Sequence, residues 1–251
     1  MLTIDADAHV IENDSTWEYM LESERQFRPQ IVGPTKGEAS VEYWLIDGRF
    51  IPWTNVGKNI PKESREMSDP YFFPLYEEAG RLDLPICVHS ANGSITVHDF
   101  FIDEPGFCKF KLAVVGAFHS LVFDGIPERF PKLRIGIIEV GAQWLPYAVH
   151  DLVRRSARRG KQLDKHLLKD NRIYVACQTD DDLAYILEYA EEDNLVIGSD
   201  YGHADNASEL LALRRLRDKG EVAPQVIDKI LCANPVRFYG LSPVSPASKK
   251  A

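Results

Sequence analysis

The stretch Leu2-Thr3-Ile4-Asp5-Ala6-Asp7-Ala8-His9-Val10 has apolar residues alternating with polar ones, which is typical of a strand. Asp7 and His9 are two positions apart, so on a strand their side chains point to the same face. The stretch therefore predicts a carboxylate and an imidazole side by side at the start of the chain. A metal ion needs such a pair, together with ligands from elsewhere in the chain.

The composition fits one α/β domain that acts on a small molecule. The chain has 251 residues, about the length of a single α/β barrel. Its net charge of −9 and its lack of basic stretches interleaved with aromatic residues argue against a nucleic-acid partner. No apolar run approaches the length of a membrane-spanning helix. The cysteines are far apart and form no CxxC pair, which predicts reduced thiols and a cytoplasmic setting: Cys87, Cys108, Cys177 and Cys232.

The second half of the chain alternates between strands and helices. Four apolar strands are predicted at residues 84–89, 133–139, 172–177 and 195–200. Helices are predicted at residues 72–82, 107–130 with a break near Gly125, 144–159, 180–192, 207–219 and 224–239. Strands that are apolar throughout and separated by helices indicate a parallel sheet covered by helices. The fold class is therefore α/β, with residues 1–241 as one domain and a disordered tail at residues 242–251.

The region between the first strand and the second half is less regular. It predicts a short helix at residues 16–24 and a loop at 26–40. Residues 41–51 carry Asp47-Gly48 between two apolar runs, which predicts a β-hairpin. The hairpin is expected to lie in an insertion that spans about residues 26–67.

Polar residues occur where the predicted parallel strands end. His89, Glu139 and Asp200 each follow an apolar strand, as His9 does in the first stretch. Ligands of parallel sheets bind at the carboxyl ends of the strands, so these side chains are expected to converge. Asp7, His9, His89 and Asp200 together form a set of nitrogen and oxygen ligands that suits zinc, manganese or iron(II). Taken singly, a histidine in the position of His89 is more often a hydrogen-bonded structural residue, and an aspartate in the position of Asp200 is as often a helix cap.

Several motifs, taken in order, resemble the amidohydrolase superfamily, and in particular its branch related to aminocarboxymuconate-semialdehyde decarboxylase. They are Ile4-Asp5-Ala6-Asp7-Ala8-His9, Pro85-Ile86-Cys87-Val88-His89, residues 125–133, residues 139–146, Gly198-Ser199-Asp200-Tyr201-Gly202-His203, and Asn234-Pro235-Val236-Arg237-Phe238-Tyr239-Gly240-Leu241. The resemblance implies a (β/α)₈ barrel with one divalent metal, most often zinc. It also implies that the metal ligands are Asp7 and His9 from strand one, His89 from strand five and Asp200 from strand eight.

This chain departs from the family pattern in three ways. The commoner opening is His-x-His, whereas this chain has Asp7-x-His9. Glu139 stands near the point where the decarboxylase has a histidine at the end of strand six. Only about five barrel strands are countable, because each parallel crossover needs roughly 30 residues and residues 10–67 have no room for three. The barrel is therefore expected to lack strands two to four and to be incomplete or open. Alternatively, the first strand pairs directly with the strand at the fifth position. Open edges favour a homo-oligomer.

Two functional hypotheses follow. The first is a metal-dependent hydrolase or non-oxidative decarboxylase acting on a small carboxylate-bearing or aromatic substrate. In this hypothesis Asp200, His89 and Glu139 are catalytic, and His203, His119 and Glu12 support the site or bind substrate. A structural role in a loop is equally open for His203, and a structural role on a helix is the favoured alternative for His119. The second hypothesis is a non-catalytic or regulatory remnant of such an enzyme with an incomplete barrel.

Overall fold

The computed structural model describes residues 3–7, 17–18, 20–28, 30–32, 43–46, 49–52, 66–90, 107–200 and 212–242. These residues contain a four-stranded parallel sheet and a three-stranded antiparallel sheet. The strands are β1 Gln30–Val32, β2 Tyr43–Ile46, β3 Arg49–Pro52, β4 Ile86–His89, β5 Ile135–Ile138, β6 Ile173–Cys177 and β7 Leu195–Ile197.

The parallel sheet has the order β4-β5-β6-β7, and all of its neighbouring strands are parallel. Every residue of β5, β6 and β7 is buried. Both faces of these strands must therefore be covered, as their uninterrupted apolar sequence requires. The predicted α/β class with a parallel sheet is confirmed. Within the described residues the sheet does not close into a barrel.

Helices follow the parallel strands, as the alternating pattern predicts. The α-helices are α1 Phe73–Arg81, α2 Ala113–Phe123, α3 Ile126–Arg129, α4 Leu145–Arg158, α5 Leu167–Asp170, α6 Leu183–Ile186, α7 Ala212–Asp218, α8 Pro224–Asp228 and α9 Asn234–Tyr239. Helical turns of 3₁₀ type occupy Glu22–Phe27 and Pro70–Phe72, and π-type turns occupy Phe107–Leu112 and Lys229–Ala233. In the described part of the chain, no helix is both long and apolar enough to span a bilayer.

The two faces of the sheet bury different clusters. Side chains alternate along a strand, so Ile137 and Val175 point outward into the large core beneath the helices. Ile138 and Val196 point to the inner face, where they pack in a smaller cluster with Phe238 from α9. The last helix of the described chain therefore fills space on the inner side of the sheet.

Residues 3–7 lie beside β7 without forming a regular strand. The Ala6 N–H donates to the carbonyl of Ile197 at 2.9 Å, which places this stretch along the edge of β7. The predicted strand at residues 2–10 is thus wrong for its described part. The carboxylate of Asp5 accepts bonds from the N–H groups of Asp7 and Ser199, and these local bonds compete with a regular strand ladder.

The amino-terminal predictions have mixed outcomes. The hairpin is confirmed, since β2 pairs with β3 in antiparallel register. The loop predicted at residues 26–40 is wrong in part, because Gln30–Val32 pairs with β2 as a third strand. The short helix predicted at residues 16–24 takes the form of 3₁₀ turns in its described part, at residues 17–18 and at Glu22–Phe27. The Glu24 carboxylate accepts the Leu21 N–H at 3.2 Å at the start of the second turn.

The predicted helix at residues 180–192 is shorter in the structure, where α6 spans only Leu183–Ile186. Asp182 caps this helix by accepting the Tyr185 N–H at 3.1 Å, so the helix begins three residues later than predicted. The predicted tail lies outside the described residues from residue 243 onward.

Candidate active site

His89 ends β4 with both ring nitrogens beside carboxylates. Its Nε2 lies 3.2 Å from Oδ1 of Asp7, and its Nδ1 lies 2.9 Å from Oε2 of Glu139. The Nδ1 also lies 2.5 Å from the carbonyl of Ser90. Asp7 comes from the first stretch, and Glu139 directly follows β5. The structure thus brings together three of the predicted site residues, from three separate segments.

The two carboxylates determine the charge of the imidazole. The hydrogen bond to Asp7, then that to Glu139, raise the pKa of His89 to about 10, against the opposing effect of partial burial. In the metal-free protein at neutral pH, His89 is therefore a cation held between two carboxylates. The Nδ1 proton is shared with Glu139 and Ser90, which orients the Nε2 toward Asp7.

A backbone hydrogen bond connects Asp200 to Asp7. Its N–H donates to the carbonyl of Asp7 at 2.8 Å, and the residue is 3% exposed. Asp200 has φ +51 and Glu139 has φ +67, both in the left-handed region that disfavours side chains. Each such residue costs about 1–3 kcal/mol, and strain of this kind concentrates at functional sites. The tight turns after β5 and β7 therefore favour a functional use of both carboxylates.

Gly198 makes room for Asp7. A Cβ placed on Gly198 would lie 2.1 Å from the Cβ of Asp7, a separation that real side chains do not adopt. Any larger residue would push the first stretch away from the end of β7. The sequence motif Gly198-Ser199-Asp200 contains this glycine, but only the close approach of Asp7 explains why the position needs a glycine.

Sequence reasoning missed the role of Asp181. Its carboxylate accepts the N–H groups of Ala142 and Gln178 at 2.8 Å and that of Gln143 at 3.2 Å. These bonds join the loops that follow β5 and β6, and so brace the turn that carries Glu139. Burial raises the pKa of Asp181. In the sequence, the three aspartates at 180–182 fit the start of the helix predicted there, and nothing marks their link to the loop after β5. In the structure, a Cβ placed on Gly141 would lie 3.2 Å from Oδ1 of Asp181.

The remaining predicted residues lie elsewhere or outside the described chain. His119 is on α2, and its Nε2 lies 3.2 Å from Oδ2 of Asp151 on α4. Arg154, together with Arg155 and His119, lowers the pKa of Asp151 to about 2. His119 therefore belongs to a contact between helices, in line with the structural alternative and not with a role at the site. The other three candidates lie outside the described residues: His9, Glu12 and His203.

The donor atoms suit a divalent metal, although the described residues give only part of a site. Asp7 and His89 present a carboxylate and an imidazole within hydrogen-bond distance. Glu139 binds the opposite ring nitrogen, an arrangement common for metal-binding histidines. Among the described residues, no group of three or more His, Cys, Asp or Glu side chains is arranged to hold a metal. A complete site needs a further ligand, and His9 is the candidate from the sequence.

The parallel sheet, with its polar residues at the carboxyl ends of the strands, places the chain among α/β proteins whose site lies at that edge of the sheet. A family model described as amidohydrolase matches residues 58–241, and the chain belongs to this family. The resemblance expected from the motifs is thus confirmed.

Solved structures with the same fold include an amidohydrolase from Mycobacterium avium subsp. paratuberculosis, with a TM-score of 0.57 and 21% identity over 72% of this chain and 48% of that one. A 5-carboxyvanillate decarboxylase from Sphingomonas paucimobilis has a TM-score of 0.56 and 17% identity over 73% of this chain and 58% of the other. The corresponding enzyme from Novosphingobium aromaticivorans, in complex with manganese and a nitrobenzoic acid, has a TM-score of 0.57 and 18% identity, covering 73% and 55%. The chain spans about half the length of these proteins.

Proposed function

We propose that this chain is a metal-dependent enzyme that acts on a small aromatic or other carboxylate-bearing substrate by non-oxidative decarboxylation or by hydrolysis. The observation that carries the proposal is the contact of His89 with both Asp7 and Glu139, at 3.2 and 2.9 Å. A carboxylate loses hydration when it is buried, which costs free energy. A cluster of charges that persists despite this cost favours a functional role. Family membership and the decarboxylases among the similar structures support the choice of reaction.

In this proposal Asp7, His9, His89 and Asp200 hold the metal, and Glu139 orients His89. A divalent metal would supply a Lewis acid that polarises a substrate oxygen and acidifies water. Zinc and manganese both fit the nitrogen and oxygen donors, and the manganese complex of a similar decarboxylase favours a test of both. We further propose a cytoplasmic homo-oligomer.

Asp200 is the candidate proton carrier. In decarboxylation the protonated Asp200 would deliver its proton to the ring carbon that bears the carboxylate. The carbon–carbon bond then breaks, its electron pair restores the aromatic ring, carbon dioxide leaves, and water reprotonates Asp200. In hydrolysis the Asp200 carboxylate would take a proton from the attacking water and pass it to the leaving group. General acid–base catalysis of this kind contributes roughly 10²–10⁴-fold to the rate.

Metal content of the purified protein is the first test. We expect close to one equivalent of zinc, manganese or iron per chain, retained in His150→Ala and lost in His89→Ala. His150 is an exposed histidine on α4 and serves as the matched control. Carbon dioxide release from hydroxybenzoates and carboxyvanillates, compared with cleavage of aryl esters and amides, then identifies the reaction. Asp200→Asn should lower kcat by about 100-fold or more.

The non-catalytic alternative draws on two observations. The described parallel sheet has four strands, and the chain spans about half the length of the similar structures. A folded protein that binds no metal and turns over none of these substrates would overturn the enzyme proposal and favour the remnant.

A further inference from the structure

Tyr239, the last residue of α9, connects two segments that are not neighbours in the sheet. Its hydroxyl donates to the carbonyl of Ala6 at 2.9 Å. The thiol of Cys87 on β4 neighbours the same hydroxyl. Burial, followed by the neighbouring Cys87, raises the pKa of Tyr239, so the hydroxyl keeps its proton at neutral pH.

Both partners of Tyr239 adjoin the candidate site. Ala6 immediately precedes Asp7. Cys87 is two residues before His89 on β4, so both side chains point to the same face of the sheet. Tyr239 thus lies, one layer below the site, between the two segments that bring Asp7 within 3.2 Å of His89, and it bonds to the first of them.

The sheet itself does not fix this separation. In the order β4-β5-β6-β7, His89 belongs to β4 at one edge, whereas the stretch with Asp7 lies beside β7 at the other. Within the described residues, the two edges have no hydrogen-bonded strand between them on the open side. A contact that crosses the inner face is therefore needed to set their distance.

The helix that carries Tyr239 is firmly seated. The ring of Phe238 is fully buried, and a Cβ placed on Gly136 of β5 would lie 2.4 Å from its Cζ. The Phe238 carbonyl accepts a bond from Nε of Arg134 at 2.7 Å. The rings of Phe238 and Tyr239 lie 4.5 Å apart. Tyr239 is thus carried by a tightly packed helix. A side chain that positions other groups must itself be fixed by packing in this way.

We propose that Tyr239 is a positioning residue that fixes the distance between Asp7 and His89, because it bonds to Ala6 from a helix seated on β5, next to the strand that carries His89. Its effect on metal affinity rests on the function proposed above, whereas its effect on the first stretch does not. Groups that support metal ligands typically change affinity by 10–100-fold when they are altered.

The test compares Tyr239→Phe with Tyr174→Phe. Tyr174 is a buried tyrosine of the same inner cluster, with its ring 4.9 Å from that of Phe238, so it controls for the loss of a hydroxyl in this environment. Two quantities are measured: amide hydrogen exchange of residues 3–7, and the Kd for Zn²⁺ and Mn²⁺ by titration calorimetry. In Tyr239→Phe we expect at least fivefold faster exchange and about tenfold weaker metal binding. In Tyr174→Phe both should stay within twofold of wild type.

Each outcome is decisive. If Tyr239→Phe behaves like Tyr174→Phe in both measurements, the inference is wrong. Faster exchange with an unchanged metal Kd would show that Tyr239 stabilises the first stretch without positioning Asp7, which also overturns it. If the wild-type protein binds neither metal, the proposed function fails, and the exchange of residues 3–7 alone decides whether Tyr239 holds this stretch.

Discussion

Two regions of the sheet have opposite characters. The site rim, formed by Asp7, His89, Glu139 and Asp200 at the carboxyl ends of the strands, is polar, charged and strained in its backbone. The inner plug, formed by Phe238 and Tyr239, is aromatic and closely fitted to the sheet. The comparison indicates that the inner plug stabilises the fold, whereas the charges and backbone strain of the site rim lower its stability.

Phe238→Ala should have the largest effect. The ring is fully buried against Gly136 and Tyr174, so its removal leaves a cavity and is expected to lower the free energy of unfolding by about 3–5 kcal/mol. Urea denaturation measures this loss. Phe107→Ala, at an aromatic residue that is 58% exposed, is the control and should change stability by about 0.5 kcal/mol or less. Equal losses in the two variants would show that the plug has no special importance.

Alanine substitutions at two glycines distinguish the effect of close packing on stability from the effect of backbone flexibility. Gly136→Ala places a methyl group against the Phe238 ring and should destabilise the protein by about 1–3 kcal/mol. Gly116→Ala lies within α2, where a Cβ would meet nothing within 4 Å, and should stabilise the protein by about 0.5–1 kcal/mol. Thermal unfolding of both variants gives the two signs. If Gly136→Ala left the thermal stability unchanged, the inner plug would shift easily and could not position the site rim.

The pH dependence of stability concerns the rim and should be the smallest effect, because the His89 side chain is 30% exposed and partly screened by solvent. The carboxylates of Asp7 and Glu139 raise the pKa of His89 from 6.5 to about 10. A raised pKa means that the folded state binds the proton more tightly, so this stabilisation is complete below pH 6.5 and is lost as the pH rises to about 10.

Urea midpoints of the metal-free protein, measured between pH 6 and 10, check this effect. The difference between wild type and His89→Gln should shrink as the pH rises, whereas His150→Gln should follow wild type throughout. A difference that grows with pH would contradict the assigned charge of the ring.

The sequence was most informative where the signal is local and repetitive. The apolar runs that became β5 and β6 were predicted to within two residues, because a strand buried on both faces has little freedom in composition. The break between α2 and α3 was predicted from Gly125, which has φ +76. His89 and Glu139 were selected because polar residues at the ends of parallel strands converge, and Asp7 because it is two positions from His9.

The sequence was least informative where distant residues determine the structure. β1 exists because it pairs with β2, and its run of three residues is too short to indicate a strand by itself. Asp181 binds amides in a loop about 40 residues earlier, such as that of Ala142, which no spacing rule reveals. The position of Tyr239 against Ala6 likewise depends on the completed fold.

The bonds of the first stretch have a consequence for the order of folding during synthesis. Asp5 and Ser199 are 194 residues apart, and Ala6 and Tyr239 are 233 residues apart. On the ribosome, His89 and Glu139 emerge long before the residues that fix Asp7 have been made. Contacts at such separation form late, because a long loop must close first. The rim therefore assembles after the helical layer has folded, and the acidic stretch with Asp5 and Asp7 stays unattached until Ser199 and Tyr239 have been made.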